Sequence, residues 1–330
     1  MNRLPRRRPL IAGILSAAVS SLPFGGRSQS RLPDKSLRIL VGFAAGGGSE
    51  LMARVIAPQL ERRIGRRVSV QNKPSGADIA AGDLFKRDLG QGLIVAFMPS
   101  TTLPTTPTGS PFPFDSQSKL VPLTTAGPFQ IAFAVAPRTG IKTFADYVAW
   151  VKAEPKERAR LGTTATDLYL QTYALMIGRA LDVSYQIIPH QGAAPLVEAL
   201  AEGSVPAGIG SVTTVLEHNF GGEVKILATS GARRAWVLRD IPTLKELGYP
   251  GLELQDWYGF FASSASPPEI IAEWNRQLEA VLLDKEVMAA LAQLGCDVET
   301  CTLAEAAARL AANIEAWTQR MRAVGIKMKN

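Results

Sequence analysis

Short apolar runs alternate along the chain with stretches in which apolar side chains recur every three or four residues. The first pair sets the pattern. Leu37-Arg38-Ile39-Leu40-Val41 carries apolar side chains on both faces, as strands buried in a parallel sheet do. After three glycines, Gly46-Gly47-Gly48, the positions Leu51, Val55, Ile56, Leu60 and Ile64 follow a helical stripe that Gly65 ends. Ser49 is expected to cap this helix, with Glu50 in its first turn, where negative charge is favourable. Pro58 removes an i→i−4 bond and predicts a kink. Arg62, Arg63, Arg66 and Arg67 read as a solvated helix end.

The alternation continues to the C-terminus. Strands are predicted over 67–71, 93–98, 130–136, 161–166, 183–188, 207–210, 224–229 and 252–262. Helices are predicted over 79–89, 143–152, 167–179, before Gly203, and through the last sixty residues apart from a break at 295–300. Residues 99–116 hold five prolines and read as a surface loop. Thr143/Asp146, Thr243/Glu246, Ser266/Glu269 and Thr302/Glu305 have capping-box spacing, with Pro267 at the favoured first helical position. Strands alternating with helices predict a doubly wound α/β architecture. Open α/β sheets bind ligands at the C-terminal ends of their strands. The turns at 43–50, 99–102, 163–166, 190–194 and 211–214 are therefore the candidate contacts, rich in N–H and hydroxyl groups that suit a polar or anionic ligand held and released.

Charge matters chiefly through its location. The formal charge is +7, but residues 1–30 carry Arg3, Arg6, Arg7, Arg8 and Arg27 and no acid. The other 31 basic side chains face 29 acidic ones, a balance of +2 that does not point to nucleic acid. The first thirty residues read as an export signal rather than a disordered basic tail. Arg6-Arg7-Arg8 precedes an apolar core, residues 10–19, that spans only ~15 Å as a helix against a bilayer of ~30 Å. Paired arginines permit a Sec or a twin-arginine route. A periplasmic address follows, and no cysteine near the signal suggests a lipid anchor. Cys296 and Cys301, if the segment between them is extended, lie ~16 Å apart, too far for a bridge that tolerates ~7 Å. They are expected to be free. No cofactor or metal is expected: the C-x₄-C pair has no nearby histidine, the two histidines being His190 and His218.

Enzymatic motifs fail on specific residues. From Gly46 the pattern is G-x-G-x-x-L, with Leu51 where a dinucleotide fingerprint needs glycine. The same Leu51 spoils a nucleophile elbow around Ser49. A secreted hydrolase would have to pair Ser49 or Ser211 with His190.

At this point the chain resembles a known family. Residues 37–50, Gln71-Asn72-Lys73-Pro74, His190-Gln191-Gly192-Ala193-Ala194-Pro195, Asp240-Ile241-Pro242-Thr243 with Glu246 and Gly248, and Trp257-Tyr258-Gly259 match, in order and spacing, the extracytoplasmic receptors of tripartite tricarboxylate transporters, the Bug family. The resemblance implies a two-lobe periplasmic-binding-protein (Venus flytrap) fold, with doubly wound α/β lobes joined by a two-stranded hinge. It puts lobe 1 at 31–128 and 229–330 and lobe 2 at 129–228. It implies a non-enzymatic receptor, monomeric, that captures a small di- or tricarboxylate or related acid and passes it to membrane permease subunits, or to a membrane sensor. Carried over by position, Phe43, Ala44, Gly46, Gly47, Ser49 and Glu50 form one wall of the ligand site. Gln191, Gly192 and Ala193 face them, and Ser100, Thr101, Thr163, Thr164 and Ser211 occupy matching turns. Three departures stand out. Ala44-Ala45 replace prolines and Glu50 an aspartate, His190-Gln191 lacks the family's usual basic residue, and the 163–167 turn is shorter. A carboxylate at Glu50 beside a carboxylate site must point away, bind through water or select a ligand bearing a donor; the last two are favoured.

Overall fold

The computed structural model describes residues 31–42, 45–73, 91–103, 120–164, 168–254 and 256–326. The expected signal, the helix at 79–89 and most of the 99–116 loop lie outside them.

The first sheet is built around β1 (Leu37–Val41), followed by helix α1 (Gly48–Ile64), β2 (Val68–Asn72) and β3 (Ile94–Pro99). β2 and β3 pair parallel to β1 on either side. A later strand, β10 (Asp256–Ser263), runs antiparallel between β3 and β4 (Leu120–Phe129), so the order is β2-β1-β3-β10-β4. β4 is not among the predicted strands; it holds Pro122, Gly127 and Pro128. β4 is an edge strand, the place where a missing N–H costs no ladder bond.

The second sheet has the order β7-β6-β8-β5-β9. Its elements are β5 (Ile131–Val135), α2 (Phe144–Ala153), β6 (Arg160–Thr163), α3 (Leu168–Leu181), β7 (Gln186–Pro189), α4 (Ala193–Glu202), β8 (Ala207–Ser211), α5 (Val212–Phe220) and β9 (Lys225–Thr229). β6, β7 and β8 are mutually parallel, and β5 is antiparallel to both β8 and β9. The chain returns to the first sheet at β10 and closes with α6 (Pro268–Leu282), α7 (Lys285–Gln293) and α8 (Leu303–Ala323). Both sheets are thus mixed, the α/β two-lobe class.

Period-2 alternation sorts the core. In β5, Ile131, Phe133 and Val135 join one apolar cluster while Ala132 and Ala134 join another, under α4 and α5. In β10, Tyr258, Phe260 and Ala262 join the first of these, and Trp257 and Phe261 face Leu310 of α8. That first cluster takes one face of each sheet, so a single apolar core runs through both.

The two crossings between sheets are stitched together. Only Gln130 separates β4 from β5, and its carbonyl accepts from Val212 N–H at 2.8 Å. Ser230, just after β9, accepts from Ile131 N–H through Oγ at 2.8 Å and donates its own N–H to Ile131 O at 2.9 Å.

Helix starts match the sequence in part. Thr143 and Thr302 form complete capping boxes with Asp146 and Glu305. Thr243 and Glu246 exchange both bonds, at 2.7 and 3.1 Å, but Gly248 at φ +92° ends the turn before a helix forms. Ser49 does not cap α1: Gly47 is the N-cap and the helix begins at Gly48. Ser266 does not cap α6 either; Pro267 is the N-cap, Pro268 the first helical residue, and Ser266 Oγ is buried without a partner. α1 continues through Pro58 as one helix. Its arginines are engaged: Arg63 Nε donates to Gln277 Oε1 of α6 at 2.7 Å, and Arg66 pairs with Asp34 and binds the carbonyls of Leu32 and Pro33.

Candidate functional site

The parallel strands of the first sheet end together at Val41 and Pro99. Next to that end lies Tyr258, in register with Pro99 across β3 and β10. Ser100 opens a 3₁₀ turn directly after β3; fully buried, its Oγ accepts from Trp257 N–H at 3.2 Å. Thr101 is buried beside it. Ser100 thereby ties β10 to the turn after β3, one residue before Tyr258.

From the second sheet, β8 delivers Ser211, the N-cap of α5, to the same place. Ser211 Oγ lies 2.5 Å from Thr213 Oγ1 and 3.0 Å from Tyr258 Oη, and Thr213 Oγ1 lies 3.1 Å from Tyr258 Oη. Three hydroxyls, two from one sheet and one from the other, form a closed triangle. Burial pushes the Tyr258 phenol above its ordinary pKa, against the pull of both hydroxyls, so it stays a neutral donor and acceptor. The third wall is the first turn of α1. A Cβ on Gly48 would sit 2.1 Å from Thr213 Oγ1 and 3.0 Å from Tyr258 Oη. Only a glycine backbone fits there.

The other second-sheet turns connect through β8. A Cβ on Gly210 would meet the Thr164 side chain at 2.5 Å. Thr164 O accepts from Gly192 N–H at 2.9 Å, and Thr163 O accepts from His190 N–H at 2.9 Å. Gly192, at φ +114°, is the N-cap of α4, and Ala193 is its first residue. Gln191 is exposed at the tip. The strand ends of β6, β7 and β8 thus form one continuous edge, which Ser211 joins to Tyr258 and Gly48.

Other expected residues sit close by with their own partners. Gly46 takes φ +84°, and its N–H donates to Glu50 Oε2 at 3.3 Å. Glu50 is buried and its other oxygen binds Arg54 Nε. Both of its oxygens are thus engaged within its own loop and helix. Ser49 is buried at the second position of α1. Phe43 and Ala44 lie outside the described residues. His190 packs over Gly162, its Cε1 3.4 Å from where a Cβ would stand, and its Nδ1 is buried without a partner. Ser211 bonds to Thr213 and Tyr258, so the Ser211–His190 couple of a hydrolase is not formed. Both cysteines are free and buried, and no group of three metal-ligating side chains occurs among the described residues.

Thr213 and Tyr258 each lie within a recognised feature, the 211–214 turn and the Trp257-Tyr258-Gly259 segment, but only the tertiary structure shows that they meet. Their meeting depends on pairing β10 beside β3, across about 160 residues of sequence.

The fold and the strand-end geometry define the class, a two-lobe receptor of periplasmic-binding-protein type. The chain belongs to the tripartite tricarboxylate transporter family receptor group, whose pattern it matches over residues 52–325. Protein BugT of Bordetella pertussis is 28% identical over 311 residues, covering 92% of this chain and 93% of that protein. MatC of Rhodopseudomonas palustris, solved with bound malate, superposes with a TM-score of 0.76 at 21% identity, over 87% of this chain and 99% of that one. An R. palustris protein solved with adipate gives a TM-score of 0.82 at 22% identity, over 90% of this chain and 99% of that one.

Proposed function

We propose that this protein is a periplasmic solute receptor that takes a small organic acid between its two lobes and hands it to a tripartite membrane permease. In this reading the lobes are 31–128 with 229–330, and 129–228, and residues 1–30 direct export. The observation that carries it is the Ser211–Thr213–Tyr258 triangle against Gly48, which joins strand ends of both sheets. α1, α4 and α5 start at those strand ends, and helix N-termini offer free N–H groups and positive dipole ends to an anion. Malate and adipate in structurally similar proteins support a carboxylate as the ligand class.

Binding is hydrogen bonding by neutral donors on two bodies. A ligand that touches both favours the closed arrangement by its differential affinity. The Glu50–Arg54 pair keeps the first-lobe turn neutral, so affinity rests on N–H and hydroxyl donors more than on charge pairing.

Thermal denaturation with mono-, di- and tricarboxylates tests this directly. A ligand at a hundred times its Kd stabilises by about 2.7 kcal/mol, a readily resolved shift in Tm. The expected result is stabilisation by one carboxylate class, lost in Thr213→Ala. If no carboxylate shifts the transition, the ligand assignment fails.

A further inference from the structure

Away from the strand ends, α3 of the second sheet meets α8 and β10 of the first around one buried acid. Asp256, at the start of β10, is 1% exposed. Its Oδ1 accepts from Asn313 Nδ2 at 2.7 Å and Trp317 Nε1 at 2.8 Å, both on α8. Its Oδ2 accepts from Tyr169 Oη of α3 at 3.3 Å. All three donors are neutral. The Tyr169 ring packs edge-on against Trp317, centroids 4.6 Å apart, and against Phe129 at 6.1 Å. One turn along α3, Tyr173 Oη donates to Leu252 O at 2.9 Å. Phe129 in turn packs on Tyr258 at 4.7 Å, so the seam is in contact with the hydroxyl triangle through two rings.

We infer that Asp256 and Tyr169 form a proton-sensitive catch between the lobes, closed when Asp256 is protonated on Oδ2 and donates that proton to Tyr169 Oη, which then accepts, and released as Asp256 ionises. An ionised carboxylate enclosed by aromatic rings and neutral donors carries a desolvation cost that three hydrogen bonds only partly offset. Among the described residues, these charged and titratable groups face it. α8 contributes Arg320, whose guanidinium stacks over Trp317 and donates to Glu253 O. α3 contributes the phenols of Tyr169 and Tyr173, the preceding loop Glu253, which pairs with Lys245, and β10 itself Tyr258. Burial raises the Asp256 pKa above its ordinary value, against the hydrogen bonds and Arg320. When the seam parts and water reaches Asp256, its pKa falls back. Protons therefore favour the parted state less than the closed one, and rising pH favours parting. Asp256 acts here as a positioning residue: it sets how tightly α3 is held to α8.

The catch is a property of the ligand-free protein and stands whether or not the strand ends take a carboxylate. Backbone hydrogen exchange of purified protein tests it, between about pH 5 and about pH 8, after correction for intrinsic exchange. Amides of α3 are expected to lose protection by about tenfold or more across that range, and Asp256→Asn, a fixed neutral isostere, to hold the acid-side protection throughout. Tyr169→Phe, which keeps the ring, is expected to lower α3 protection at about pH 5 towards the wild-type value at about pH 8. A wild-type profile flat in pH, or α3 protection in Tyr169→Phe equal to wild type, overturns the inference, and the Tyr169→Phe arm decides it even if Asp256→Asn does not fold.

Discussion

Gly48 is the residue at which the smallest change has the most direct consequence. Its missing Cβ leaves room for two hydroxyls that already bond each other and Ser211. Gly48→Ala is expected to cost about 1–3 kcal/mol through forced displacement, as overpacked sites do. Thr213→Ala in the same chain should restore part of the loss, because it removes Thr213 Oγ1 at 2.1 Å and leaves Thr213 Cβ at 2.9 Å; equal stability of Gly48→Ala and wild type in chemical denaturation would contradict the geometry. The buried phenols and thiol make a second prediction at this scale. Burial raises the pKa of Tyr147, Tyr173 and Tyr258, and pushes Tyr185 and Cys296 up to about 12. Each keeps its proton in the fold where the unfolded chain would release it. Above the unfolded values, about 9 for the thiol and about 10 for the phenols, the folded state binds more protons and stability falls as pH rises. Absorbance titration should show these tyrosines ionising only as the protein unfolds, and a thiol reagent should label neither Cys296 nor Cys301 in the native state at neutral pH.

At the scale of elements, two serine or threonine positions that look alike in sequence behave oppositely. Thr302 accepts from Glu305 N–H and completes a capping box at α8, so Thr302→Ala should cost about 1 kcal/mol. Ser266 precedes α6 with the same spacing, yet Pro267 and Pro268 set the helix start one residue later and leave its hydroxyl buried and unpaired. Ser266→Ala should therefore be neutral or slightly stabilising, since removing an unsatisfied polar group carries no loss; urea midpoints of the two variants measure the contrast. Local signals of this kind were readable in the sequence wherever chain neighbours decide the outcome, as at Thr143 and at Gly65, which ends α1 in a left-handed conformation. They fall short where a distant partner decides. Pro122 and Pro128 rule out a central strand, and β4 exists because β10 pairs with its one bonded edge. Gly48, not Ser49, begins α1, and Ser49 goes to the interior. The strand-end turns were legible from alternation alone. Thr213 lies in one of those turns and Tyr258 in the Trp-Tyr-Gly match, but their meeting was not legible, because nothing local says that the turn after β8 will meet the third residue of β10, across from Pro99.

For the whole molecule the question is whether two sheets mean two unfolding units. Lobes joined only by crossing strands would melt separately, each with its own core. Here one apolar cluster takes Ile39, Val95 and Phe260 from the first sheet and Phe133, Leu161 and Ile209 from the second, with Tyr169, Tyr173 and Trp317 between them. Parting the sheets would expose much of that surface, at roughly 25 cal/mol for each Å² of apolar area. The stitched crossings add to the linkage: Ser230 bonds Ile131 through both side chain and backbone, and Leu254 N–H reaches Ser230 O at 2.8 Å. A motion that opens the strand-end face would then leave most of this shared core packed and part it where the sheets are held by hydrogen bonds, at the Ser211–Thr213–Tyr258 hydroxyls and at the Tyr169–Asp256 seam. We expect one calorimetric transition with a ratio of calorimetric to van't Hoff enthalpy of about 1. Two resolved peaks, or a ratio well above that value, would show that the core divides at the crossings. A bound carboxylate should move the single transition as a whole, because a ligand held by both sheets stabilises the unit they form together.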